Sequence, residues 1–260
     1  MQRSKLSATL MWELKNLSRF PLPEALLALF VYVFFMRRGG VFCFSAHLEG
    51  LDWLGFNRTI AFHTILGAAH LSSQAYIPMG IFASILATLS FAYEIESGLL
   101  KVYLSHPISR AGVFLSKFLS CFFLIYTIFS TSLLTYALLR IPENTPYFVL
   151  SGDLVLRMLF LAAVECFFVV SLAISFSIFS ERASISLIGS FVVIYILQLV
   201  SGSVGLPYLP PTSFREQAFL LFSSIPPQFS DILNFAVAPM ISTVLVVFSY
   251  LYFSRRLEIP

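Results

Sequence analysis

Between two apolar runs, the stretch FAYEIESGLLKVYLSHPISRAGVF (residues 91–114) gathers Glu94, Glu96, Lys101 and Arg110 beside Leu99, Leu100, Tyr103 and Leu104. Read as a helix from Tyr93 to Ser105, it lines up Ile95, Leu99 and Tyr103, with Leu100 and Leu104 beside them. Ser97, Lys101 and Ser105 share the opposite side, joined by Glu94. A short apolar face flanked by charges is suited to docking: the face enters a groove and the charges set its register. A linker helix lying on a surface without a partner would carry the same pattern. His106-Pro107 ends the helix, because a residue before proline is pushed out of the helical region. Ser109 then stands where it would cap the next helix.

Two polar side chains stand inside apolar runs. Glu165, in LAAVECFFVV, places a carboxylate at mid-bilayer depth, at a cost of roughly 3 kcal/mol on insertion scales. Such a group faces a bundle interior or a watery path. A place in a substrate path and a structural hydrogen bond between helices both fit. Gln198 is the weaker candidate, since a neighbouring helix easily satisfies a neutral amide.

Nothing is spaced for covalent or metal catalysis. There is no Ser–His pair in a G-x-S-G setting and no H-E-x-x-H, and Asp52, Asp153 and Asp231 all lie outside the apolar runs. His63 and His70 would share a helical face, but no second pair accompanies them in the spans. Cys43, Cys121 and Cys166 give neither a disulfide framework nor zinc spacing. No metal site is expected. Asn57-Arg58-Thr59 matches a glycosylation acceptor.

The elements that must carry these residues belong to a bilayer. Of 260 residues, 58% are hydrophobic and 11% charged, against about 25% charged in an ordinary soluble domain. The net charge of +3 is small and the basic residues cluster at the ends of apolar runs, which argues against nucleic acid as a partner. Runs near 22–36, 75–93, 113–139, 155–179, 184–205 and 237–253 suggest six spans in one all-α membrane domain covering residues 1–260. Before them, Leu6, Leu10, Leu14 and Leu17 fall at helical spacing, with Lys5, Glu13, Asn16 and Arg19 largely elsewhere around the helix. Residues 6–20 thus read as an amphipathic helix in the membrane surface, ended by Pro21; a plain basic flank is the alternative. The first twenty residues lack the continuous apolar core of a signal peptide, so the chain is expected to keep its N-terminus.

Residues 206–236 combine Ser213-Phe214-Arg215-Glu216, a capping box, with the breaker Pro226-Pro227 and a second start at Ser230-Asp231. A helix, a break and a helix between spans suggest a re-entrant hairpin. With the N-terminus inside, ten Lys and Arg fall on the cytoplasmic side and six outside, although Arg37 and Arg38 oppose that orientation. Both termini are then cytoplasmic.

The pattern Glu94-Ile95-Glu96-Ser97-Gly98, then Leu104-Ser105-His106-Pro107-Ile108-Ser109-Arg110, then Lys117, resembles the segment between the second and third spans of type-2 ABC transporter permeases. Leu99 stands where that family usually has threonine. The surrounding organisation is similar too: an amphipathic N-terminal helix, six spans and a broken hairpin before the last. The resemblance implies the transmembrane subunit of an exporter. Residues 94–106 would then be a coupling helix seated in an ATP-binding subunit, with Glu94, Glu96, Lys101 and Arg110 orienting it, Leu99, Leu100, Tyr103 and Leu104 packing, Gly98 within the motif and Pro107 at its end. It also implies a second permease chain, identical or related. A non-catalytic membrane scaffold, or an accessory subunit of another complex, is the alternative function.

No G-x-x-x-x-G-K-[ST] loop occurs; Gly112 to Lys117 is a fragment with Ser116 in place of the second glycine. The chain is expected to be no enzyme and to hold no cofactor, with ATP and Mg bound by the partner subunit. Membrane lipid is the remaining expected partner. The many phenylalanines suit an amphiphilic cargo, but contact with lipid explains them more simply.

Overall fold

The computed structural model describes residues 2–18, 21–36, 75–100, 109–140, 152–180, 182–204 and 229–256, and they are helical throughout apart from turns. We label the helices α1 (Gln2–Leu17), α2 (Leu22–Met36), α3 (Ala75–Glu96), α4 (Arg110–Arg140), α5 (Gly152–Phe179), α6 (Ala183–Val204) and α7 (Phe229–Arg256). Five of them, α3 to α7, are long and apolar enough to cross a bilayer.

α5 is the central helix. It packs against α3, α4, α6 and α7, while α1 and α2 lie on α4. Its residues Leu161, Ala162, Val169, Ala173, Ile174 and Ile178 belong to the core. α6 and α7 instead turn Ile188, Tyr195 and Leu199, and Met240, Val244 and Phe248, outward. In a bilayer such a surface is ordinary, since lipid tails are as apolar as leucine. Small residues set the close contacts. A Cβ on Gly80 of α3 would lie 2.6 Å from Ile194 Cγ2 of α6, so these helices approach as near as they do because position 80 has no side chain.

Hydroxyls in the apolar interior mostly donate back to their own helix, as Ser84 does to Gly80 O, Ser190 to Ser186 O and Ser242 to Ala238 O. Others join helices: Thr88 and Ser186 hydroxyls meet at 2.9 Å between α3 and α6, and Ser249 donates to Ser175 at 2.8 Å between α7 and α5.

The expected boundaries change in three places, whereas α2 keeps the expected 22–36. α2 has only 15 residues, about 22 Å at the α-helical rise, short of the roughly 30 Å hydrocarbon core. It runs along α4 nonetheless, burying Leu26 and Phe30, with Phe30 stacked obliquely on Phe129. The second span continues past residue 93 to Glu96. The continuous helix expected from Tyr93 to Ser105 is interrupted: Ser97 and Gly98 turn, Gly98 takes φ +76°, and helical residues resume at Leu99 and Leu100. A left-handed residue costs glycine nothing and stops a helix, which a periodicity argument overlooks. Finally, residues 229–236, expected as part of a hairpin, open the last helix, and the proposed break lies outside the described residues.

α3 also departs from α-helical winding. Thr88–Ala92 form a π-helical segment in which Tyr93 N–H reaches Thr88 O. Ser177 of α5 supports the widened turn: its hydroxyl donates to Ala87 O at 2.7 Å and accepts from Ala92 N–H at 3.1 Å. Each extra residue in a turn offsets everything downstream by about a quarter of a revolution. The face of residues 93–96 therefore does not follow from the 3.6-residue pattern upstream.

Candidate functional site

Most of the chemistry that the described residues hold is concentrated at one end of the bundle, where α3 and α7 finish and α4 and α6 begin. Ser109 caps α4 as expected, accepting from Gly112 N–H at 3.1 Å. Arg110, at the first turn of α4, donates from Nη1 to the carbonyl of Ser254 in the last turn of α7 at 2.8 Å, where orphan carbonyls and the helix dipole favour a cation. Glu96 Oε2 accepts from Ala183 N–H at 2.8 Å, placing a carboxylate at the N-terminus of α6.

Beneath these contacts lies an ion triad. Lys117 Nζ, fully buried, donates to Glu13 Oε1 of α1 at 2.7 Å and to Glu94 Oε1 of α3 at 2.8 Å. Both carboxylates are buried, and Glu94 Oε2 makes no hydrogen bond within the described residues. Ser120, one turn further along α4, donates to Ser116 O of its own helix at 2.8 Å, with Leu10 O of α1 3.5 Å away. Next to the triad, Phe91 of α3, Phe114 of α4 and Phe253 of α7 form a mutually touching cluster with centroid distances of 5.7–6.0 Å. Three helix ends are thereby held together by rings as well as by charge.

Several expected roles are redistributed. Glu94 was placed on the polar, open side of a docking helix; it is buried, and Tyr93 is exposed instead. The turn at Ser97 and Gly98 interrupts the helix over 93–105 on which that placement rests. Glu96 and Arg110 likewise have partners within the chain, so they order helix ends here. Leu99 is 43% exposed and available, but Leu100 is 1% exposed and belongs to the core. Lys101, Tyr103, Leu104 and Pro107 lie outside the described residues.

Glu165 is buried on α5, as a carboxylate at depth must be. Gln198 is half-buried on α6 with its amide oxygen unpartnered within the described residues. The two are not linked by a described hydrogen bond. No cluster of three His, Cys, Asp or Glu side chains that could hold a metal occurs among the described residues.

Sequence reading missed two members of the triad as site residues. A signal for each was present: Lys117 is a cation inside an apolar run, which must find a counter-charge, and Glu13, expected largely off the leucine stripe, is buried, lying three residues after Leu10 and four before Leu17. Of that stripe, Leu17 is buried and Leu10 and Leu14 are half-buried, while Met11 and Trp12 are exposed.

The family model described as ABC-2 family transporter protein matches residues 25–256, from the start of α2 to the end of α7. No curated protein matches the chain significantly. A match over nearly the whole helical bundle identifies a multi-pass membrane protein of the permease type, the membrane subunit of an ABC transporter, and the chain belongs to the ABC-2 transporter family.

Proposed function

We propose that the chain is the permease of an ATP-driven exporter whose motor is a separate ATP-binding subunit seated on the turn after α3. One observation supports this most: the exposed turn at Ser97, Gly98 and Leu99 rises from a base in which Glu94, Glu96 and Arg110 tie α3, α4, α6 and α7 together. A load applied to such a turn reaches four helices at once. Leu99, with Lys101, Tyr103 and Leu104 after it, would meet the groove of the ATPase, and that subunit would bind ATP and Mg.

In this reading α2 completes a sixth crossing beside α4, and both chain ends are cytoplasmic. α1 and the end of α7 share one end of the bundle, where Lys15, Arg110, Arg182 and Arg255 also gather, as the positive-inside rule favours. Two such chains, or this one and a related chain, would enclose the substrate path, with Glu165 and Gln198 as polar groups at depth.

The test is co-purification. Co-expressed with candidate ATP-binding proteins, the wild-type chain should retain one through detergent extraction, and Leu99→Ala with Tyr103→Ala should reduce the retained ATPase about tenfold, as expected when anchors of a helix-in-groove contact are truncated. Undiminished capture by the double variant would reject this docking surface. Failure of the wild type to hold any ATPase would favour the scaffold reading.

A further inference from the structure

The Glu13–Lys117–Glu94 triad joins elements that have no other reason to share a buried charge. Glu13 belongs to α1, whose Met11 and Trp12 are exposed as on a helix lying at a membrane interface. Glu94 stands three residues before Ser97 of the Ser97–Gly98 turn, and Lys117 lies about two helical turns inside α4. The Nζ contacts of 2.7 and 2.8 Å are direct, and all three side chains are buried. A buried triad is a poor way to gain stability, since apolar side chains of similar volume would do as well or better. Its distinguishing property is that it fixes one arrangement of its members, because separating either carboxylate from Lys117 leaves a charge uncompensated in an apolar setting.

We infer that this triad is a charge clasp that makes the surface helix α1 part of the coupling element, with Lys117 as the positioning residue. α1, the end of α3 and the start of α4 then move as one body, and a displacement of the Ser97–Leu99 turn is carried to α1 as well as into the bundle. α1 packs on α4 and is held there by this clasp, with Leu17 buried alongside. The inference rests on the permease reading given above, and it assigns to α1 a task in relaying motion beyond lying on the membrane.

The test uses the full chain in nanodiscs, alone and with the ATP-binding subunit that co-purifies with it. Glu13→Gln removes one charge and leaves the Lys117–Glu94 pair. In the chain alone, amide exchange over residues 8–17 should quicken about tenfold while exchange in α5 stays as it was, the signature of a local opening. In the complex, the same variant should lower ATP hydrolysis at least fivefold at unchanged subunit stoichiometry. Unchanged exchange in α1 overturns the clasp. Quickened exchange with wild-type hydrolysis overturns its part in coupling.

If Glu13→Gln does not assemble, Glu13→Asp keeps the charge and draws the carboxylate back from Lys117 by one methylene. Quickened exchange over residues 8–17 with lowered hydrolysis is then expected, and wild-type exchange there overturns the clasp. A wild-type chain that captures no ATPase sinks the permease reading instead, and the exchange experiment on the chain alone still decides the clasp.

Discussion

At the scale of single residues, the chain concentrates its electrostatic risk at Lys117. An ammonium inside a span is tolerated because two carboxylates converge on it, and the same low dielectric that strengthens those contacts makes a lone survivor expensive. Lys117→Met, which leaves Glu13 and Glu94 buried without a cation, should destabilise the protein by about 3–5 kcal/mol. Glu94→Gln should cost less, since Glu13 still pairs with Lys117. Unfolding in mixed micelles would rank the two variants, and a reversed order would show that Glu94, not Lys117, is the hub. Gly98 behaves differently: open space surrounds it, so Gly98→Ala meets backbone strain alone, about 1–2 kcal/mol for a left-handed alanine. That variant should loosen exchange in residues 93–98 and leave α5 as it is. Exchange that rises along α5 as well would mean that the turn also supports the bundle.

At the scale of elements, α3 is the helix whose geometry is least ordinary. Its π-helical turn at Thr88–Ala92 exists against α5 because the Ser177 hydroxyl enters the gap between Ala87 O and Ala92 N–H. Ser177→Ala should cost about 1–3 kcal/mol, the usual penalty for stranding buried polar groups, and should speed exchange at the Ala92 amide. Wild-type stability and exchange would show that the widened turn holds without its α5 partner. On the opposite flank α3 meets α6 at Gly80. There, Gly80→Ala should overpack against Ile194 by about 1–3 kcal/mol, and adding Ile194→Ala should recover part of that loss. Strictly additive losses would mean that the two helices already have room to separate.

At the scale of the whole molecule, one end of the bundle carries the charges and capping contacts, and the helices around α5 divide into enclosed and lipid-facing members. α1 and the end of α7 come together at this end. Cysteines introduced at Lys15 and Arg255, both exposed, should therefore react with an impermeant maleimide from the same side of sealed vesicles. Labelling from opposite sides would remove both the shared end and the six-crossing topology proposed for α2.

Composition and run length alone determined that this is an all-helical membrane chain, and local chemistry determined where its helices pause. A run of about twenty apolar residues has few places to go but a bilayer, and Ser109 caps α4 from the sequence position that predicts it. The stretch at 91–114 was also legible as the place where the chain leaves the apolar pattern. Which way its residues face was not legible. Periodicity carries a face along a helix only while the turn stays at 3.6 residues, and both the π-helical segment and the left-handed Gly98 reset it. The tertiary structure therefore decided that Glu94 turns inward, that Leu100 is core while Leu99 is open, and that Glu13 and Glu94, 81 positions apart, share one ammonium. A charge pair is a property of two surfaces brought together, and no local pattern in either segment names its partner.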